Sequence, residues 1–291
     1  MSAVALKLIA AVAMLCDHVG VVLYPFLLDE RGLLVLRGIG RLAFPIYAYF
    51  IAVGYEKSSS VPRYLTRLSA MALLSQIPFV LVFVRSGYDP SKGAALAQTT
   101  PWPLPLVLLL IAFVAAVWLI SVRRDLSVIY PVLALLAGVC SLRVEGIVLL
   151  APELNVFYTL ALGLACVSIL DRAVKPGRDV KALALQAAAV AAVFLLIRDT
   201  ADYRYLGAAL IICFWAAKDQ QLSQLLLLVM WAAIEYLLGG AGLVKFLFAV
   251  CSAALLFFYS GERGKGFRRF FYWFYPAHLA VLGAVNLLLS A

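Results

Sequence analysis

Residues 5–27 read ALKLIAAVAMLCDHVGVVLYPFL. The run is apolar apart from Lys7 near its start and Asp17 and His18 near its middle. As a helix it rises about 34 Å, enough to cross a hydrocarbon core of roughly 30 Å. Two adjacent ionisable residues at the centre of such a run are costly in lipid, so the stretch specifies a membrane span and marks a site at once.

Working outward, similar apolar blocks recur at about 33–55, 65–85, 103–121, 127–150, 155–170, 181–197, 204–217, 223–238, 243–258 and 269–290. Punctuation separates them, as at Tyr88-Asp89-Pro90, Pro101-Trp102-Pro103-Leu104-Pro105 and Lys175-Pro176-Gly177-Arg178. The expected fold is all-α: a polytopic integral membrane helical bundle of about ten or eleven spans, with 155–170 and 204–217 short for spanning helices. Barrel strands would alternate over short segments, and no such pattern occurs. The first block is long and has no cleavage-site pattern after it, so it reads as a retained span.

Composition agrees. The 291 residues are 65% hydrophobic and 13% charged, with a mean hydropathy of +1.02. Soluble domains run near 45–50% apolar and about a quarter charged. The net charge of +9 reads as topology, not nucleic-acid binding, because the basic residues sit in short loops. Lys57, Arg63, Arg123, Arg124, Arg172, Lys175, Arg178, Lys181, Lys218, Arg263, Lys265 and Arg268 gather on one side. That bias places the N-terminus in the cytoplasm. The five cysteines lie in apolar blocks without a C-x-x-C pair and read as small buried hydrophobes.

Depth matters for the ionisable residues. His18 lies about 20 Å from the inner end of span one, and Asp17 about 15 Å from its outer end. Neighbours on a helix point about 100° apart, so Asp17 needs a partner other than His18. Span two returns through Arg37-Gly38-Ile39-Gly40-Arg41, with Arg41 about 12 Å below the outer end. An Asp17–Arg41 pair is expected, with Gly38 and Gly40 allowing close approach of the backbones. The second histidine, His278, follows Pro276 in the last span and reaches about 15 Å from the inner end. His278 reads equally as an interhelical hydrogen-bond residue, and Arg41 equally as counter-ion or substrate ligand. Arg37, Ser75, Gln76, Asn155, Tyr203 and Tyr275 are further candidates to line a cavity and bind substrate; Ser75, Gln76, Asn155 and Tyr203 read equally as caps or kink partners. No phosphate-binding loop, dinucleotide fingerprint or nucleophile elbow occurs, and no metal site is expected. On these residues alone, a proton-coupled transporter using Asp17, His18 and Arg41 as a relay stays open, as does a membrane scaffold.

Five stretches carry a resemblance. They are Leu6-Lys7-Leu8-Ile9-Ala10 leading to Met14-Leu15-Cys16-Asp17-His18; Gly40-Arg41-Leu42-Ala43-Phe44-Pro45; Arg67-Leu68 through Ser75-Gln76-Ile77-Pro78-Phe79; Asn155 to Gly163; and Phe274-Tyr275-Pro276-Ala277-His278-Leu279 through Gly283. Their content and order resemble the TraX family, the F-pilin acetylation proteins of conjugation systems. The resemblance implies a transmembrane acetyltransferase of the bacterial inner (cytoplasmic) membrane. Such a protein would move an acetyl group from cytoplasmic acetyl-CoA to an extracytoplasmic acceptor. The first acceptor it points to is the N-terminal amine of a pilin subunit; the alternative is a sugar or lipid-linked glycan.

In that reading His18 is the general base, with Asp17, Arg41 and His278 around it. Lys7, Arg63, Arg67, Arg268 and Arg269 at the inner mouth are candidates for the CoA phosphates, and equally topology determinants. One departure stands out. In the family the Asn155-type stretch follows the Ser-Gln-Ile-Pro-Phe span closely, whereas here residues 88–152 intervene and read as an inserted helical hairpin within a single domain, 1–291.

Overall fold

A computed structural model describes residues 1–24, 26–83, 143–144, 147–148, 154–173, 180–198, 201–267 and 269–289. The described residues are almost entirely helical. They form α1 (Ala3–Leu23), α2 (Glu30–Gly40), α3 (Ala43–Glu56), α4 (Val61–Phe83), α5 (Val156–Ala173), α6 (Val180–Ile197), α7 (Arg204–Ala216), α8 (Gln221–Ala232), α9 (Leu243–Phe257) and α10 (Phe270–Leu289). A π-helical turn, Ala233–Leu238, continues α8. Among the described residues five helical stretches are long and apolar enough to cross a membrane: Ala3–Leu23, Glu30–Glu56, Val61–Phe83, Gln221–Leu238 and Phe270–Leu289. Four shorter apolar helices accompany them. The expected spans 103–121 and most of 127–150 lie outside the described residues. Within the latter block Arg143–Val144 pairs antiparallel with Ile147–Val148, so a helix does not run through to residue 150.

The second expected span is not one helix. Gly40 ends α2, and Arg41 and Leu42 form a turn before α3 begins. Pro45 sits in the first turn of α3, where its missing N–H costs no bond, and its ring crowds the carbonyl of Arg41, which favours a break there.

Large apolar side chains face outward, among them Val12, Ile77, Leu238 and Leu288. On a soluble protein these would be an interaction liability; on a lipid-facing helix they are the required surface.

The chain divides into two compact units. One comprises Met1–Val53, Pro78–Gly93 and Cys213–Ala291. Here α1 and α2 run antiparallel in close contact. A Cβ on Gly20 would lie 2.9 Å from Leu36 Cβ, and one on Gly40 only 2.4 Å from Asp17 Cβ. Gly38, in contrast with expectation, faces Phe248 of α9 and not α1. At the far end of α10, Asn286 Nδ2 donates to Leu81 O at 3.0 Å, satisfying one of the open carbonyls at the end of α4.

The other unit comprises Gly54–Ile77 and Ala94–Ile212. In it α5 packs on α6, and Gly163 makes room for Ile211 of α7. Asp202 N–H bonds Leu154 O at 2.9 Å, tying the start of α7 to the start of α5.

Candidate functional site

Two buried polar groups share α1. The first is an ion cluster. Asp17 Oδ1 accepts from Arg37 Nη1 at 2.9 Å and Oδ2 from Arg41 Nη2 at 2.7 Å. The pair expected from matched depth is present, and Arg37 joins it as a second partner. Its signal was in the sequence: residues 37 and 41 are four apart, one turn on the same helix face. Arg41 Nε also donates to Arg37 O at 3.1 Å, which holds the guanidinium where α2 ends. Gly40 is required because Asp17 lies against its backbone. Two guanidinium charges against one carboxylate leave this buried group one positive charge in excess.

The second group is a histidine pair. His18 Nδ1 and His278 Nε2 are 2.7 Å apart, with the rings nearly parallel. His278 Nδ1 lies 2.7 Å from Phe274 O. A carbonyl only accepts, so His278 Nδ1 carries hydrogen. With the ring neutral, its Nε2 is then an acceptor, and His18 Nδ1–H donates to it. The alternative, a His278 imidazolium, would add a buried charge beside a group already positive. The network therefore assigns the Nδ1–H form to both rings and leaves the lone pair on His18 Nε2. Among the described residues that atom makes no hydrogen bond. Phe83 and Tyr275 pack edge-on against His18 at 5.1 and 6.0 Å between centroids, and Tyr275 is also edge-on to His278.

Both histidines were placed at one level by depth, but their direct contact was not anticipated. The carbonyl that orients His278 is that of Phe274, one turn back on α10.

The remaining candidates fall elsewhere. Lys7 projects its Nζ over the rings of Phe50 and Phe271, at 4.7 and 6.0 Å. Arg269 lines a groove before α10, and Arg268 lies outside the described residues. Arg63 and Arg67 stand exposed on the first turns of α4, in the second unit. In that unit Gln76 Oε1 accepts from Asn155 N and Nδ2, at 3.2 and 2.8 Å. Asn155 Nδ2 also reaches Ala72 O at 2.7 Å, and its Oδ1 caps α5 by accepting from Phe157 N–H at 3.0 Å. Ser75, next to Gln76 on α4, is fully buried. Tyr203 takes a left-handed backbone conformation just before α7, φ 59°.

A polytopic helical membrane protein with a buried histidine pair beside an Asp–Arg–Arg cluster is the class that this fold and site define. The chain belongs to the TraX protein family, which matches residues 2–151 and 139–286. All five motif stretches fall within those matches. No curated protein and no solved structure matches the chain.

Proposed function

We propose that the protein is an acetyltransferase that takes the acetyl group of cytoplasmic acetyl-CoA and delivers it to an extracytoplasmic acceptor, first the N-terminal amine of a pilin subunit. The observation that carries this reading is the lone pair on His18 Nε2, oriented by His278 and through it by Phe274 O. Family membership supports it. With the N-terminus cytoplasmic, the donor approaches from the end of α1 that bears Lys7.

The chemistry balances with the chain's own groups. His18 Nε2 takes a proton from the acceptor amine as its nitrogen attacks the thioester carbonyl. The excess positive charge of the Asp17–Arg37–Arg41 cluster favours the oxyanion that forms. The C–S bond then breaks, and the imidazolium returns its proton to the leaving thiolate. His278 is a positioning residue in this scheme: it fixes the tautomer and ring plane of His18.

The test uses full-length protein in nanodiscs with acetyl-CoA and a synthetic pilin N-terminal peptide, read by mass spectrometry. Acetylated peptide with the native chain, and at least about a hundredfold less with His18→Ala, is the expected result. Acetyl loss confined to surface glycans in cells lacking the protein would move the acceptor to a sugar or lipid-linked glycan. No acetyl loss in either pool, with no peptide product, would remove the acetyltransferase reading.

A further inference from the structure

Before α10 the chain runs Gly261-Glu262-Arg263-Gly264-Lys265-Gly266-Phe267. Arg263, Gly264, Gly266, Phe267, Arg269 and Phe270 line an open groove of about 540 Å³, within the range of small-ligand sites. Neither Arg263 nor Arg269 forms an ion pair among the described residues. The groove is tied to α1. Ala3 N–H donates to Glu262 O at 2.9 Å and Val4 N–H to Arg263 O at 3.1 Å. Gly264, at φ +77°, leaves no room for a Cβ, which would sit 2.7 Å from Ser2 Oγ.

From the groove an aromatic ladder climbs α10 to the histidine pair. Phe267 packs on Phe270 at 5.8 Å, Phe270 on Phe274 at 5.3 Å, and Phe274 stacks on His278 at 4.6 Å. Positions 270, 274 and 278 share one helix face and rise about 12 Å. Alongside, Lys7 stands eleven residues before His18, about 16 Å down α1. A phosphopantetheine arm, taken at the reach per bond of an extended chain, spans about 15 Å from phosphorus to sulfur. That reach exceeds the roughly 12 Å from Phe270 to His278 and is close to the roughly 16 Å from Lys7 to His18.

We propose that this groove holds the 3′-phosphorylated adenosine diphosphate end of coenzyme A, with Arg263 and Arg269 on its phosphate oxygens, and that the Phe270–Phe274–His278 face guides the thioester arm to His18. The assignment rests on acetyl-CoA being the donor. Guanidinium groups suit phosphate oxygens geometrically, and the exposed rings of Phe267 and Phe270 offer a face for a purine.

The test is made on the full chain in zwitterionic nanodiscs, so that no anionic headgroup competes. Affinity is measured for CoA and for adenosine 3′,5′-bisphosphate, and turnover is measured with S-acetyl-pantetheine, which lacks the nucleotide. In the double variant Arg263→Ala/Arg269→Ala, both affinities should fall on the order of a hundredfold, about tenfold per arginine. Acetyl-pantetheine turnover should hold within about twofold, which also reports that the variant is folded. Lys57→Ala, a surface control, should change none of these. CoA affinity unchanged in the double variant, while the native chain binds CoA, would overturn the groove assignment and leave the donor reading intact. Failure of the native chain to bind CoA at all would overturn both.

Discussion

Two buried polar clusters in this protein differ in one respect. Around Asn155 the capacity is spent within the protein: its N–H and amide donate to Gln76 and Ala72, and its oxygen caps α5. Around His18 a chain of hydrogen bonds is equally ordered but ends on a nitrogen that makes no hydrogen bond among the described residues. Both clusters sit among apolar helices, where an unpaired polar atom costs free energy. A closed cluster stabilises its helices, whereas one that is oriented and left open at a single atom offers that atom to a reactant.

This contrast can be broken by substitution. The largest effect is expected from His18→Ala, which should lower acetyl transfer about 10²–10⁴-fold. The variant should stay folded, losing about 1–3 kcal/mol of stability because His278 Nε2 loses its donor. Retained turnover in purified variant would remove His18 as the base.

Next is Asp17→Ala, which leaves the buried Arg41 guanidinium and the part-buried Arg37 guanidinium without their carboxylate. Its cost should be about 3–5 kcal/mol of stability, read by unfolding in a mild detergent. A variant as stable as the native chain would mean that the ion cluster is not a structural clasp. Gly40→Ala should cost about 1–3 kcal/mol, because the added methyl meets Asp17 Cβ; the same unfolding assay checks it, and Gly261→Ala, with nothing near its Cβ, separates crowding from backbone strain.

The smallest effect is expected at the closed cluster. Asn155→Ala should lose about 1–2 kcal/mol of stability through the lost cap. Turnover per folded molecule should remain within about twofold. A large loss of turnover with unchanged stability would instead place Asn155 at the substrate and erase the distinction.

Much of the fold was legible because lipid permits few solutions. Apolar runs long enough to span, broken by proline and short basic loops, leave little but helices. The Asp17–Arg41 contact was legible because depth along two antiparallel helices follows from residue number. Azimuth does not follow so simply. The contact of His18 with His278 depends on how α10 is rotated, which packing sets through residues such as Gly283 against Leu81. Arg37 is readable from its spacing to Arg41, but spacing alone does not separate an ion-pair partner from a substrate ligand. The turn at Arg41 is likewise readable from Pro45, whose missing N–H leaves the carbonyl of Arg41 without its helical partner. The groove at Arg263 was hidden because loop glycines reveal conformational freedom and not what the loop encloses.

With only two histidines in the chain, the central claim has a direct spectroscopic test. Histidine labelled with nitrogen-15 gives four ring signals, separable by recording His278→Asn beside the native chain. At neutral pH the expected result is hydrogen on Nδ1 of both rings, a bare Nε2 on His18, and a coupling across the His18–His278 hydrogen bond. A hydrogen on Nε2 of His18, with Nδ1 bare, would contradict it.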